Sequence, residues 1–177
     1  MIVIIVILAI FTGLYMAWNI GANDVANSMS TAVGSNAITL RQALIIASIL
    51  NFLGAVLVGK HVTDTIQNKI VDVALIADHE LMLGFMAALL SAGIFVTLST
   101  WKELPVSTTH AVIGGIIGFG FIEGGMSMVK WRTVENIAAS WVISPIAGGV
   151  LAFIMFKIIA ATIFSSKEPG RMAKNTG

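Results

Sequence analysis

Trp18–Ser30 reads W-N-I-G-A-N-D-V-A-N-S-M-S, and how these thirteen residues are housed decides the fold. From residue 2 to residue 40 the chain carries one charged side chain, Asp24, and it stands near the middle. Asn19, Gly21, Asn23, Asn27 and Ser28 are gathered around it. A charge at the centre of an apolar span costs about 2.5–3.5 kcal/mol on insertion scales, and it persists where it meets an ion, a cavity or a partner. Asn, Asp and Ser also cap helices and form turns, but a cap does not call for three Asn and an Asp. The cluster is a candidate functional site.

The rest of the composition agrees with a membrane setting. The 177 residues are 57% hydrophobic and 11% charged, with a mean hydropathy of +0.94, whereas soluble domains carry about 25% charged residues. Such a chain lacks the polar surface to cover itself in water, and it reads as an all-α integral membrane protein of several spans. Its net charge of +1 comes from dispersed basic residues, which gives no nucleic-acid footprint. The absence of cysteine excludes disulfides and thiolate metal sites. The N-terminal run M-I-V-I-I-V-I-L-A-I has no basic region ahead of it, and reads as a retained first span rather than a signal peptide.

Working outward, apolar segments recur at Ile2–Ile20, Ala43–Val58, Leu81–Leu98, Ala111–Ile122 and Ile137–Phe164. A crossing needs about 20 helical residues. A single helix over residues 2–40 would run about 57 Å, nearly twice the roughly 30 Å hydrocarbon core. The sequence therefore predicts a break at Gly21 and the Asn-rich cluster, which is allowed at depth only where freed backbone is buried in protein or lines a wet cavity. Arg41 and Gln42 mark an interface, and the chain then returns. Lys60–Glu80 is the most polar stretch and holds His61 and His79, yet no metal-ligand spacing repeats in it, so it reads as a solvated loop.

A second polar cluster follows Trp101, Lys102 and Glu103, which resemble an interfacial anchor. It is L-P-V-S-T-T-H at Leu104–His110, and a glycine-rich apolar run comes directly after. Pro105 stops the preceding helix, and Ser107, Thr108 and Thr109 are placed to cap the next. Two readings stay open here: two full crossings, or a helical hairpin whose tip lies within the membrane. Gly114 and Gly118 form a G-x-x-x-G step and Gly13–Ala17–Gly21 a small-residue ladder, both read as close helix packing. In the last span Trp141, Ser144, Pro145, Gly148 and Gly149 either line a cavity or, for Trp141, anchor an interface, and Pro145 predicts a kink. The tail after Phe164 carries Lys167, Arg171 and Lys174 against Glu168 alone. The positive-inside rule then places the tail in the cytoplasm and Met1 outside. Residues 1–165 are the membrane unit and 166–177 a basic tail or the start of a loop.

The two clusters differ in chemistry. The first offers oxygen from Asn23, Asp24 and Asn27, with Ser28 beside them, which suits a hard cation such as Na⁺. The second offers donors, three hydroxyls and the N–H groups of a helix N-terminus, which suits a tetrahedral oxyanion. A cation site and an anion site in one membrane protein point to cation-coupled anion transport. His110 is placed to carry a proton in such a cycle or to serve as a structural histidine.

G-A-N-D-V-A-N-S at Gly21–Ser28, P-V-S-T-T-H at Pro105–His110 and S-W-V-I-S-P at Ser140–Pro145 closely resemble the inorganic phosphate transporter (PiT) family. The resemblance implies symport of inorganic phosphate with Na⁺ in some members and H⁺ in others. It implies that Asn23, Asp24 and Asn27 serve the coupling ion and that Ser107, Thr108 and Thr109 hold phosphate. Ser28, His110 and Ser144 stand behind them as supporting residues. Family members carry two such halves, and one copy is found here. The expectation is thus one unit of an inverted-repeat transporter in the plasma or inner membrane, partnered by a second homologous half on the same or another chain, in a higher oligomer. A passive channel built on the same clusters is the alternative. An Asp24–His110 hydrolase is weaker, since nothing marks a nucleophile or a metal.

Overall fold

In a computed structural model of the chain, residues 2–164 are described; the basic tail lies outside them. They form five long helices: α1 Ile2–Gly34, α2 Leu40–Asn68, α3 Asp78–Trp101, α4 Thr108–Gly124 and α5 Trp131–Ile159. Each is part of a segment long and apolar enough to cross a membrane. Among the described residues there is no strand, only an isolated antiparallel bridge between Val71 and Val129. The chain divides into two compact units, Met1–Trp131 and Arg132–Gly177.

The expected break in the first helix is absent. α1 runs unbroken through Gly21 and the Asn cluster for 33 residues, about 50 Å. No proline interrupts it, and an interior glycine costs a helix only about 1 kcal/mol relative to alanine. The polar side chains are satisfied sideways instead. Thr12, Met16, Asn19 and Asn23 are buried, and their spacing of four, three and four residues makes one seam along α1. That seam packs on α3, where Met16, Ala92 and Val96 form a buried cluster. α1 therefore keeps its backbone bonds and needs no wet cavity for them.

Local signals set the other ends. Thr39 and Gln42 form a reciprocal capping box that starts α2 at Leu40, ahead of the expected return. α2 then continues to Asn68, so Lys60, His61 and Asp64 are helical rather than part of a loop. The loop that remains is clasped to the segment after α4. Asp72 N donates to Met128 O at 3.0 Å and Lys130 N to Ile70 O at 2.8 Å, while Lys130 and Asp72 pair at 3.6 Å. Ile70 and Val71 are fully buried there.

α3 and α4 form the expected helical hairpin, turned by residues 102–107, with Pro105 in the turn and Ser107 as the N-cap of α4. α1 and α3 run parallel, since their contacts rise together in number. The hairpin tip meets α1 at Asp24, and α1 continues ten residues past that point to Gly34, a rise of about 15 Å. α2 restarts at Leu40 after a short turn, and Leu44, Ile45, Ile46 and Ile49 present exposed apolar side chains on its first turns.

The glycines that allow close packing are not the ones the spacing singled out. A Cβ built on Gly13, Gly21, Gly114 or Gly118 meets nothing within 4 Å. One on Gly115 falls 2.6 Å from the Ala88 carbonyl oxygen, and one on Gly93 falls 2.6 Å from the Tyr15 ring. Gly115 lets the arms of the hairpin touch backbone to side, and Gly93 admits Tyr15 between α1 and α3. In the second unit α5 is helical through Pro145 and ends in a π turn at Ala160–Phe164; none of its described residues is buried.

Gly115→Ala is expected to lower the thermal unfolding midpoint of the purified chain, because backbone must move to admit the methyl group. Gly114→Ala, its neighbour on the open side, is expected to be neutral or to stabilise by up to about 1 kcal/mol. Equal losses in both variants would contradict the assignment of the contact.

Candidate functional site

Hydroxyls of α3 and α4 meet the amides of α1 in a ladder. Tyr15, Asn19, Asn23 and Asn27 are four residues apart and so lie along one stripe. At the lower rung Asn19 Nδ2 donates to Tyr15 O at 2.9 Å, and Thr97 Oγ1 donates to Asn19 Oδ1 at 2.8 Å. A hydroxyl has one proton. With the proton of Thr97 committed to Asn19, the 2.5 Å contact between Tyr15 OH and Thr97 Oγ1 has Tyr15 as its donor. One rung higher, Asn23 Nδ2 donates to Thr100 Oγ1 at 3.0 Å, and Asn27 Nδ2 donates to Asn23 Oδ1 at 2.8 Å. Asn19 and Asn23 are 3% and 4% exposed, so these bonds stand in place of water.

The top rung joins the two sequence clusters. Thr108 Oγ1 donates to Asp24 Oδ2 at 2.9 Å, across 84 residues of chain. Thr108 is buried and Asp24 half-buried. The residue expected to hold the anion thus bonds the residue expected to hold the cation, so the clusters form one contiguous site. Thr108 has spent its only proton on the carboxylate and has none left for an anion.

Donors remain on either side of it. Ser107 Oγ accepts from His110 N at 3.3 Å, which leaves its own proton free to donate. Ala111 N bonds Ser107 O, while the N–H groups of Thr108 and Thr109 precede the first intrahelical bond of α4. Ser107, Thr109 and His110 are exposed. Two backbone N–H groups and two hydroxyls at a helix N-terminus can hold a tetrahedral oxyanion. On the other side, Asp24 and the exposed Asn27 supply oxygen. Groups suited to two unlike charges thus stand side by side at the tip of the hairpin.

Not every expected residue belongs to this arrangement. Ser28 is exposed, and its hydroxyl turns back to Val25 O at 3.3 Å. Ser144 is exposed on α5, in the second compact unit. Among the described residues no three His, Asp or Glu side chains gather in a way that would hold a metal. An apolar cavity of about 570 Å³ lined by Phe85, Met86, Leu89, Val112 and Ile116 lies apart from the polar ladder. Sequence reading missed Tyr15, Thr97 and Thr100. The signal was present, since Thr97 and Thr100 lie three apart on an apolar helix and therefore share a face.

Comparison with known proteins follows the same lines. A family model described as "Phosphate transporter family" matches residues 20–176. A Pyrococcus furiosus protein named "Putative phosphate permease" is 49% identical over 171 residues, which is 96% of this chain and 42% of that protein. "Inorganic phosphate transporter 2-1, chloroplastic" of Arabidopsis thaliana is 44% identical over 163 residues, covering 91% of this chain and 28% of its own length. A solved structure described as "The sodium-dependent phosphate transporter" superposes with a TM-score of 0.86 at 49% identity, over 93% of this chain and 41% of that one. The chain spans less than half the length of these relatives.

Proposed function

The chain belongs to the phosphate transporter family, and from that premise we propose that it forms part of a secondary transporter that carries inorganic phosphate together with Na⁺. The observation that carries the reading is the Thr108–Asp24 hydrogen bond. A carboxylate beside an anion site repels the anion, by roughly 4 kcal/mol per charge pair at 4 Å and an effective dielectric of about 20. Phosphate is therefore held well only once a cation has neutralised Asp24. Na⁺ placed against Asp24 and the Asn27 oxygen does this, and it also releases the Thr108 proton. Thr108 can then coordinate the cation through oxygen while its proton turns to the phosphate held by Ser107, Thr109 and the α4 N-terminus. One hydroxyl thus links the occupancy of the two subsites, which is what symport requires. A proton on Asp24 would neutralise it equally, so H⁺ is the rival coupling ion. A passive channel has no use for such a linkage.

A second homologous half, on this or a separate chain, supplies the rest of the translocation pathway. With α1, α2 and α5 as crossings, and with the α3–α4 hairpin returning to its own side whether its arms cross fully or not, the number of net crossings is odd. A repeat joined after it is therefore inverted, an arrangement suited to alternating access. The Lys/Arg bias supports an orientation with the tail after Phe164 in the cytoplasm and Met1 outside.

Two measurements test these assignments. In proteoliposomes holding this chain and a complementary half, Asp24→Asn should flatten the dependence of phosphate uptake on Na⁺ concentration. Thr109→Val should instead raise the phosphate KM by roughly 10- to 150-fold, the worth of one hydrogen bond to a charged group, and leave the Na⁺ dependence in shape. The reverse pattern would mean that the two subsites are exchanged, and uptake indifferent to either gradient would favour a channel. For topology, single cysteines at positions 2 and 172 can be labelled in intact cells against this cysteine-free background. Impermeant reagent should reach position 2 alone; labelling of position 172 alone would invert the orientation.

A further inference from the structure

The arms of the α3–α4 hairpin leave a groove of about 580 Å³, lined by Gly84, Ala87 and Ser91 of α3 and by Gly114 and Gly118 of α4. A Cβ built on Gly114 or Gly118 meets nothing within 4 Å, so this G-x-x-x-G step is left open. Small residues on a membrane helix let another backbone approach closely, and an open row of them leaves room for one. Glu80 and Glu123 stand at one end of the groove. Both are exposed, and among the described residues neither has an ion-pair partner.

α5 carries a matching row. Arg132, Asn136, Ser140, Ser144 and Gly148 recur every four residues and so form one ridge of the helix. All five are exposed, and none of the described residues of α5 is buried. Polar and small side chains gain nothing against lipid tails, whereas they pack well against another helix. We propose that this row lies in the α3–α4 groove of a second copy of the chain in the same orientation, each copy of the pair giving its α5 to the other. Depth and charge agree with that occupant. Gly118 and Gly114 are five and nine residues inward of Glu123, and Asn136 and Ser140 are four and eight inward of Arg132. The small positions of the two rows therefore match in depth to within about 1.5 Å. Arg132, which has no ion-pair partner among the described residues, then comes level with Glu80 and Glu123. It lies on their side of the membrane, since the link from Gly124 to Trp131 is too short to cross. Groove against groove would set carboxylates against one another. An inverted half would carry the N-terminal end of its α5 to the opposite side, away from both carboxylates. Charges at such a rim select orientation more than they add affinity.

The test uses the absence of cysteine from the chain. Two differently tagged forms, one with Gly114→Cys and the other with Ser140→Cys, are expressed together with a complementary half and oxidised in the membrane. A disulfide-linked dimer bearing both tags is expected, and either form expressed without the other should give almost none. If that pair does not assemble, Gly118→Cys with Asn136→Cys reads the same contact. Adding Arg132→Glu to the Ser140→Cys form should lower the yield of mixed dimer about fivefold, the upper worth of an exposed ion pair. Adding Glu80→Lys and Glu123→Lys to the other form should then restore it. The proposal is overturned by the absence of mixed dimer, by equal linkage in the forms expressed singly, or by a yield that the charge reversal neither lowers nor restores.

Discussion

Asn19, Asn23 and Asp24 lie on a helix that has to sit among apolar groups, and each must find a partner there or cost several kcal/mol. That constraint organises the first unit. Thr97 and Thr100 on α3 and Thr108 on α4 are the partners, and they fix how far α3 can slide along α1. Gly93 and Gly115 then follow, since the hydroxyls reach the amides only if the helices approach closely enough. α1 remains whole because its polar load is met from the side.

The same constraint supplies the proposed mechanism. A hydroxyl between a carboxylate and an anion-binding helix terminus serves one or the other as donor. Thr108 serves Asp24 in this structure. In the proposed mechanism the group that neutralises Asp24 governs what Thr108 offers to phosphate.

Much of this was legible in the sequence. Hydropathy located five apolar helices, and Pro105 followed by Ser107 located the hairpin turn and the cap of α4. The isolation of Asp24 within an apolar span marked the candidate site, and the three motifs gave the family. The break at Gly21 was a false inference from length. It assumed that polar groups in a long apolar helix must be relieved by water or freed backbone, whereas α3 relieves them with side chains. Glycine spacing also misled, because Gly114 and Gly115 are adjacent and only the direction of packing tells which one faces Ala88. Thr97 and Thr100 could not be recognised as partners until the parallel register of α1 and α3 was known. Local pattern carries elements and chemistry, while register is a property of the pair.

If Thr108 links the two subsites as proposed, the linkage is measurable as a change in one ion's affinity with the occupancy of the other. Phosphate affinity is determined in the assembled transporter at low and at saturating Na⁺, for the wild type and for Thr108→Val. Coupling free energies between sites are typically 1–3 kcal/mol, or about 5- to 150-fold in affinity. A wild-type ratio within that range is expected, and Thr108→Val should reduce it while both ions still bind, the remainder being the direct repulsion between Asp24 and the anion. A variant that binds phosphate more weakly yet keeps the full Na⁺-dependent ratio would contradict it.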